Sequence, residues 1–301
     1  MRQDASSRTA EFMALFRALE SLLPSTRRLF NDPFARYCLT PPLYFAWTLA
    51  RIPGIRSVIT RIIDSRWSGA RTSAVARTRA IDDAACQALE TGVQQVVLLG
   101  AGFDSRAYRL PGMQKVTVYE VDHPATSARK REVTQCALGK LPTNVQYVEI
   151  DFTKNDLEPE LRNTGFKAAL PTLFVWEGVT NYLTSEAVDS TLRWCSRAAP
   201  KSQLVFTYID KEVLSNPGSF YGTEKTVQIL RDVGERWTFG LEPGNLASYL
   251  KERGLKLEND LNAAQYRQRY FKEVSSRMKG YEFYHVAVAS VMRGRCGTGG
   301  P

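Results

Sequence analysis

Histidine and cysteine are scarce in this chain, and their spacing argues against several kinds of site. The 301 residues include two histidines and five cysteines. The cysteines are widely separated, form no C-x-x-C pair and have no cluster of histidines near them. Neither a disulfide framework nor a zinc site fits this pattern, so we expect reduced thiols and no bound metal.

Long apolar segments are missing as well. The longest apolar runs, such as residues 43–47, fall far short of the roughly 20 residues that cross a bilayer. Glu11, Arg17 and Glu20 interrupt the first helical segment, unlike the apolar stretch of a signal peptide. A composition of 44 % hydrophobic and 24 % charged residues is ordinary for a soluble globular protein. We therefore predict a cytoplasmic protein without integral membrane association.

Lysine is absent from the first 80 residues, whereas arginine is abundant there. This region has 13 arginines and five acids, so that +8 of the formal net charge of +9 falls in it. Such a region could meet nucleic acid, an anionic membrane face or an acidic substrate. Because the arginines recur singly among apolar residues, we favour a solvated helical surface and predict no nucleic-acid partner.

The first ninety residues have the pattern of helices. Apolar residues between Thr9 and Leu23 recur at spacings of three and four, and proline pairs separate the stretches that follow. The predicted helices cover residues 9–23, 43–51, 55–67 and 70–91. We predict that residues 1–91 form an N-terminal helical extension that acts as a lid.

Beyond residue 91, short β-branched runs alternate with helical segments. The predicted strands cover residues 95–99, 116–121, 145–150, 172–176, 204–208, 255–258 and 283–291. Alternation of this kind predicts an α/β fold with a Rossmann-like, doubly wound, parallel sheet. We assign residues 92–293 to this core, with a lid insertion at about 210–240, and expect the glycine-rich tail 294–301 to be disordered.

The first predicted strand runs into a glycine-containing loop, VVLLGAGFDSRAYRL at 96–110. In a doubly wound sheet, ligands bind at the carboxyl ends of the strands. Gly100 and Gly102 allow a ligand to approach the backbone closely. However, the third glycine of the dinucleotide pattern G-x-G-x-x-G is replaced by Ser105. A nucleotide without a pyrophosphate is therefore the simpler ligand.

Acidic residues follow the next three strands at the same predicted edge. Asp122 lies 20 residues after Gly102, which suits NAD and S-adenosylmethionine equally. Asp151 can accept from an adenine amino group, Phe152 can pack on the ring, and Glu177 follows the fourth strand. Each residue alone could be a helix cap or a loop residue. Their shared position favours one binding site.

These segments together resemble the S-adenosylmethionine-dependent methyltransferases related to leucine carboxyl methyltransferase, in particular the bacterial branch that includes polyketide O-methyltransferases. The matching segments are ARTR (76–79) with DD (82–83), LGAGFDSRAYRL (99–110), EVDHP (120–124), DF (151–152) and EGVTNYL (177–183). They occur in order between about residues 70 and 210. The resemblance implies the seven-stranded methyltransferase sheet and S-adenosylmethionine as cofactor, with S-adenosylhomocysteine as its product.

The resemblance also implies a role for each matching position. Arg77 is expected to pair with the cofactor's carboxylate, Gly100 and Gly102 to pass beneath its methionine part, Asp122 to hold the ribose, Asp151 and Phe152 to hold adenine, and Glu177 to lie near the amino group and the sulfonium. Acidic side chains suit a cationic sulfonium, whereas a pyrophosphate would be repelled. Guanidinium suits a carboxylate because its fork binds both oxygens.

The acceptor is expected to be an oxygen of a small molecule, either a carboxylate or a hydroxyl group of a polyketide or another secondary metabolite. A carboxylate is ionised at neutral pH, whereas a phenol with a pKa of about 10 would benefit from a base. We predict His285, on the last strand, as that base, and Tyr182 as the residue that orients the acceptor.

Two other functions stay open from the sequence. One is an NAD(P)-dependent oxidoreductase, which the incomplete glycine pattern disfavours. The other is a basic protein whose arginine-rich helices bind nucleic acid or a membrane, with an affinity that falls steeply with salt. The sequence does not specify the oligomeric state.

Overall fold

The computed structural model describes residues 8–150, 157–232 and 234–292. Its strands form one seven-stranded sheet in the order β3-β2-β1-β4-β5-β7-β6. The strands are β1 (Gln95–Leu99), β2 (Thr117–Asp122), β3 (Val145–Glu149), β4 (Thr172–Trp176), β5 (Gln203–Ile209), β6 (Leu255–Asn262) and β7 (Tyr284–Val291). The predicted α/β fold with a doubly wound, seven-stranded sheet is therefore confirmed.

The sheet is mixed, which corrects the prediction of a parallel sheet. β7 lies between β5 and β6 and is antiparallel to both, whereas the other neighbouring strands are parallel. Asn262 at the end of β6 pairs with His285 at the start of β7. The connection between them thus leaves and re-enters the sheet at the same edge, so β7 has to run antiparallel.

Helices cover both faces of the sheet. They are α1 (Arg8–Glu20), α2 (Pro41–Leu49), α3 (Pro53–Arg66), α4 (Ala70–Glu90), α5 (Arg106–Arg109), α6 (Pro124–Leu138), α7 (Leu157–Asn163), α8 (Ser185–Ser196), α9 (Glu212–Ser215), α10 (Thr223–Asp232), α11 (Leu246–Lys251) and α12 (Ala263–Phe271). Apolar residues of α4 and α12 pack on one face, and those of α7, α8 and α11 pack on the other. Alternate residues of each strand therefore enter two separate cores.

The helical extension consists of α1 to α4. Helices α2 and α3 begin at Pro41 and Pro53, two residues earlier than predicted, because proline fits the first turn of a helix, where its missing N–H is not needed. Helix α4 contributes Ala76 and Ile81 to the core beneath the sheet. Helix α1 packs Leu15 and Phe16 into a third core, separate from the two cores on the sheet, which also includes Val75 of α4. The extension is thus attached to the sheet through α4.

The structure can be inspected for membrane-spanning helices and for metal-binding groups. In the part of the chain that the structure describes, no helix has both the length and the apolar character needed to span a membrane. Within the same residues, His, Cys, Asp and Glu side chains form no group of three or more that could hold a metal ion. The tail 294–301 lies outside the described residues.

Candidate functional site

The site lies where the order of the strands reverses, between β1 and β4. In the sheet, β2 lies beside β1 on one side of this point, and β5 lies beside β4 on the other side. In doubly wound sheets, the region outside the carboxyl ends of two such strands is the usual ligand position. Gly100 has a φ of 66°, and a Cβ added there would lie 2.5 Å from Cγ2 of Val179. The two loops consequently meet at a glycine that no larger residue can replace without rearrangement.

Asp122 connects the second strand to the glycine loop. Its carboxylate accepts hydrogen bonds from the backbone N–H of Gly102 and from that of His123, the latter at 2.7 Å. Burial raises the pKa of Asp122, and the two backbone hydrogen bonds oppose that rise. Together with Glu120, Asp122 lines a small cleft beside the glycine loop. The predicted ribose-binding acid thus borders a recess, and it also fixes the conformation of the loop.

Glu177 joins two buried arginines at the end of β4. Its Oε1 accepts from Nε of Arg77 at 2.9 Å, and its Oε2 accepts from Nη1 of Arg106 at 2.7 Å. Burial disfavours the charged carboxylate, but Arg106 and Arg77 outweigh it and lower the pKa of Glu177 to about 2. The structure therefore brings Arg77 and Glu177 together in an ion pair and keeps Glu177 ionised.

Arg106 extends this ion pair into a buried network that the sequence interpretation missed. Besides Glu177, its guanidinium donates to Asp82 at 2.8 Å and to Asp104 at 2.6 Å. Asp82 also accepts from Arg109 at 2.6 and 2.8 Å. Since burial of unpaired charges is costly, these groups stabilise the site only as a complete set. The signal available in the sequence was Asp82 within α4, a helix otherwise rich in alanine.

Tyr284 is a second site residue that the sequence interpretation missed. The guanidinium carbon of Arg77 lies 4.7 Å from the centre of its ring. Burial disfavours the charged form of Arg77, yet Tyr284 and Glu177 outweigh this effect and raise its pKa. Tyr284 also contacts Phe283, which packs at 5.6 Å against Trp237, in the segment at about 210–240 that was predicted to be a lid insertion. Aromatic residues therefore adjoin the Arg77–Glu177 pair on one side.

His285 lies on the face of the sheet opposite Tyr284. Consecutive strand residues point to opposite faces, and Ala287, two residues on, belongs to the core on the α8 side. The His285 ring stacks on Tyr208 at 4.7 Å, and its Nδ1 lies 3.2 Å from both carboxylate oxygens of Asp260. The structure thus does not bring the predicted base together with Arg77 and Glu177.

Tyr182 lies in a short 3₁₀ turn, Thr180–Tyr182, after β4. Its hydroxyl donates to Oε2 of Glu235 at 3.0 Å, and the hydroxyl of Thr9 in α1 donates to the same oxygen at 2.7 Å. Burial and the nearby Glu235 raise the pKa of Tyr182. Tyr182 is therefore a hydrogen-bond donor at neutral pH, and it shares Glu235 with Thr9 of α1.

Helix α1 crosses the site with three residues spaced four apart. Thr9 contacts Glu235, as described above. Met13 accepts from Nη2 of Arg77 through its sulfur at 3.5 Å, and Arg17 donates to the carbonyl oxygen of Phe103 at 2.6 Å. Residues at this spacing share one helix face. That face consequently contacts Glu235, Arg77 and the glycine loop together.

Asp151 and Phe152, the two residues predicted to hold adenine, lie outside the described residues. The strand that leads to them is in place: β3 pairs with β2, and Asp122 is opposite Glu149. The prediction for Asp151 and Phe152 stays a prediction.

The sequence of this chain is similar to a known protein family and to several named proteins. The family model described as leucine carboxyl methyltransferase matches residues 10–196. A Frankia alni protein is 33 % identical over 83 % of this chain and 81 % of its own length, and a Mycolicibacterium smegmatis protein is 38 % identical over 53 % and 48 %. Both carry the name "Putative S-adenosyl-L-methionine-dependent methyltransferase". The chain thus spans about half the length of the second relative.

Two crystal structures share the fold. A "putative methyltransferase" from Thermobifida fusca superposes with a TM-score of 0.59 at 16 % identity, covering 92 % of this chain and 94 % of its own. A duf574 family protein from Streptomyces avermitilis also gives 0.59, at 14 % identity, covering 95 % and 98 %. At such low identity these matches show the fold alone.

Proposed function

Because the chain belongs to the leucine carboxyl methyltransferase family, we propose that it transfers the methyl group of S-adenosylmethionine to an oxygen of a small-molecule acceptor. The protein is an S-adenosylmethionine-dependent methyltransferase, and the resemblance read from its motifs is confirmed. The observation that supports the cofactor site best is the Arg77–Glu177 pair beside Gly100 at the strand reversal. We place the reaction in the cytoplasm, as the composition predicts.

The residues at the strand reversal fit the charges of the cofactor. S-adenosylmethionine, when bound, supplies a methyl group on a cationic sulfonium and also carries an ammonium and a carboxylate. Arg77 would bind the carboxylate, and the ionised Glu177 would attract the ammonium and the sulfonium. Gly100 and Gly102 would pass beneath the methionine part; a Cβ at Gly102 would meet only the carbonyl oxygen of Gly100, at 3.8 Å, so the backbone there is accessible to a ligand. Asp122 would hold the ribose. We keep Asp151 and Phe152 as the adenine-binding residues.

Protein groups would contribute mainly by position and by excluding water. Methyl transfer is an in-line displacement, so most of the rate can come from alignment and desolvation. Helix α1 would cover the cofactor through Met13, while the lid insertion brings Trp237 next to Phe283. We therefore propose that residues 8–90 and the insertion at about 210–240 form the lid over the reacting groups.

The acceptor would enter on the aromatic side of the Arg77–Glu177 pair. Phe283 is flanked there by Phe220 and Tyr281, at 5.7 and 5.2 Å between ring centres. Phe283 itself is buried, so the partly buried Phe220 and Tyr281 would be the rings that contact a polyketide or another flat metabolite. We keep Tyr182 as the residue that would orient the acceptor oxygen; to do so, its hydroxyl would have to redirect the proton that it donates to Glu235. His285 faces the other side of the sheet, so we give it a packing role in β7 and propose no base.

A carboxylate acceptor needs no base and is therefore the acceptor that this arrangement favours. Transfer of a radiolabelled methyl group to a panel of aromatic acids and phenols would test this choice. Methyl esters release methanol in mild alkali, whereas aryl methyl ethers are stable. Label in an alkali-stable product with no labelled ester would contradict the preference.

The alternative function, an NAD(P)-dependent oxidoreductase, can be distinguished from a methyltransferase by a binding measurement. The glycine loop lacks the third glycine, and Glu177 and Asp122 would repel a pyrophosphate. Calorimetry should show binding of S-adenosylhomocysteine and none of NADH. Binding of NADH without S-adenosylhomocysteine would overturn the assignment.

The role of Arg77 can be tested with a truncated nucleoside. We expect Arg77→Lys to weaken S-adenosylhomocysteine binding about tenfold, because lysine cannot form the bidentate pair with a carboxylate. Methylthioadenosine lacks the amino-acid carboxylate, so calorimetry should find its affinity unchanged in the variant. Equal losses for both ligands would show that Arg77 acts through the structure of the loop instead.

A further inference from the structure

Helices α2 and α3 expose an unusual number of large apolar side chains. Eleven such side chains are exposed in the described part of the chain, and six of these fall on the two helices or the turn between them. They are Tyr44, Phe45, Leu49, Ile52, Val58 and Ile62, each between 37 % and 65 % exposed. We call these six residues the α2–α3 surface. A concentration of exposed apolar residues is typical of an interaction site.

The opposite side of the two helices is already occupied. Trp47 of α2 is buried and donates from its indole N–H to the carbonyl oxygen of Ala18 in α1 at 3.3 Å. Ile63 of α3 is buried in the same core. Val58 and Ile62, spaced four apart, lie on the outer face of α3. The exposed residues therefore do not serve the packing of the extension on the rest of the protein.

Arginines surround these apolar residues, with little acid to balance them. Residues 41–66 contain four arginines, of which Arg51, Arg61 and Arg66 are exposed. Their one acid is Asp64, which accepts from Arg71 at 2.6 and 3.0 Å. The surface is thus both apolar and positively charged. Amphipathic helices that lie in a membrane interface combine these two properties.

We propose that the α2–α3 surface docks on an anionic lipid bilayer, with arginines on the phosphates and apolar side chains inserted between the lipids. Branched aliphatic residues such as Val58 and Ile62 have no partner in the backbone of a nucleic acid, which would leave them in water. A second copy of the chain joined by a two-fold axis would place two of these positively charged surfaces face to face, with Asp64 as the one acid of residues 41–66 on each side. An anionic lipid surface offers phosphates to the arginines and an apolar interior to the exposed apolar side chains.

Sedimentation with vesicles tests the proposal without any measurement of methyl transfer. The full chain should sediment with vesicles of phosphatidylcholine mixed with phosphatidylglycerol, weakly with phosphatidylcholine alone, and less as salt is raised. Phe45→Ser should weaken partitioning about tenfold and Arg61→Gln about fivefold. Both positions are exposed, and circular dichroism would confirm that the variants are folded.

Matched controls are available elsewhere on the molecule. Val274→Ser removes an apolar side chain that is 61 % exposed, and Arg193→Gln removes an exposed arginine of α8. Both controls should partition like the wild type. Equal loss in a control, absence of sedimentation at low salt, or unchanged partitioning of Phe45→Ser would overturn the proposal. So would binding of duplex RNA that Arg61→Gln abolishes while vesicle binding persists, or a dimer that Phe45→Ser dissociates without vesicle binding.

Discussion

Gly100 is the residue at which the backbone of the site is most constrained. Its φ of 66° lies in the left-handed region, and an added Cβ would lie 2.5 Å from the side chain of Val179. We expect Gly100→Ala to lower the free energy of unfolding by about 2–4 kcal/mol, because backbone strain and a clash with Val179 add together. Urea unfolding measures this loss, and calorimetry should show weaker S-adenosylhomocysteine binding.

Gly54 supplies the matched control. It lies near the start of α3 and has no atom within 4 Å of the position of an added Cβ. Gly54→Ala should therefore leave the stability unchanged or raise it by up to about 1 kcal/mol. A similar destabilisation by both substitutions would show that the contact with Val179 does not limit position 100.

Motifs singled out Arg77 and Glu177 as candidate site residues. Arg77 and Glu177 were predicted as neighbours of one ligand, and the structure joins them at 2.9 Å. Arg106 and Tyr284 were missed, because their roles depend on contacts between distant parts of the chain. The alternation in YEFYHVAV could have separated Tyr284 from His285, but only once the buried face of β7 was known.

Among the elements, α1 is the one whose proposed role as a lid can be tested through a single hydrogen bond. Its Thr9 hydroxyl donates to Glu235, which also accepts from Tyr182. A hydrogen bond to a carboxylate at a partly exposed position is worth about 1 kcal/mol. We expect Thr9→Val to accelerate dissociation of S-adenosylhomocysteine about fivefold, since α1 would open more readily. Stopped-flow fluorescence measures this rate.

Thr191→Val is the control for the loss of a threonine hydroxyl. Thr191 lies in α8 on the far face of the sheet and donates to Ala187 within its own helix. Its replacement should leave the dissociation rate unchanged. If Thr9→Val also dissociates at the wild-type rate, α1 does not act as a lid, although the cofactor site itself could still be correct.

The order and type of most elements followed from residue periodicity and turn residues. All seven strands were predicted, because their buried β-branched runs are short and bounded by turn signals. Helices α10 and α12 lie in segments for which no helix was predicted. The available signal for α12 was its capping box, formed by Asn262 and Gln265, directly after β6. The direction of β7 was also wrong, since strand pairing depends on contacts far apart in the sequence.

At the scale of the whole molecule, one chain of charges joins the extension to the sheet. Arg17 of α1 donates to Asp32, which accepts from Ser105. Arg109 donates to Ser105 and to Asp82 of α4, and the network continues through Arg106 to Glu177. The extension and the core therefore share buried ionic contacts, so acid should weaken both together.

The pKa of Glu177 allows a specific prediction of how the free energy of unfolding depends on pH. Its pKa falls from 4.5 to about 2 in the folded protein, because the effects of Arg106 and Arg77 exceed that of burial. A carboxylate with a lowered pKa stabilises the fold fully above its unfolded pKa and loses this contribution as pH falls through its folded pKa. We therefore expect the free energy of unfolding to fall by about 3 kcal/mol through Glu177 between pH 4.5 and about 2.

Urea unfolding at a series of pH values isolates this contribution. Glu177→Gln should reduce the slope of stability against pH below 4.5, whatever its stability at neutral pH. Glu252→Gln, at an exposed site after α11, should retain the wild-type slope. Burial raises the pKa of Glu120 above 4.5, which stabilises the fold as pH falls, but this effect is complete before the Glu177 window begins. A Glu177→Gln variant with the wild-type slope would mean that the ion pairs with Arg77 and Arg106 do not hold this carboxylate ionised.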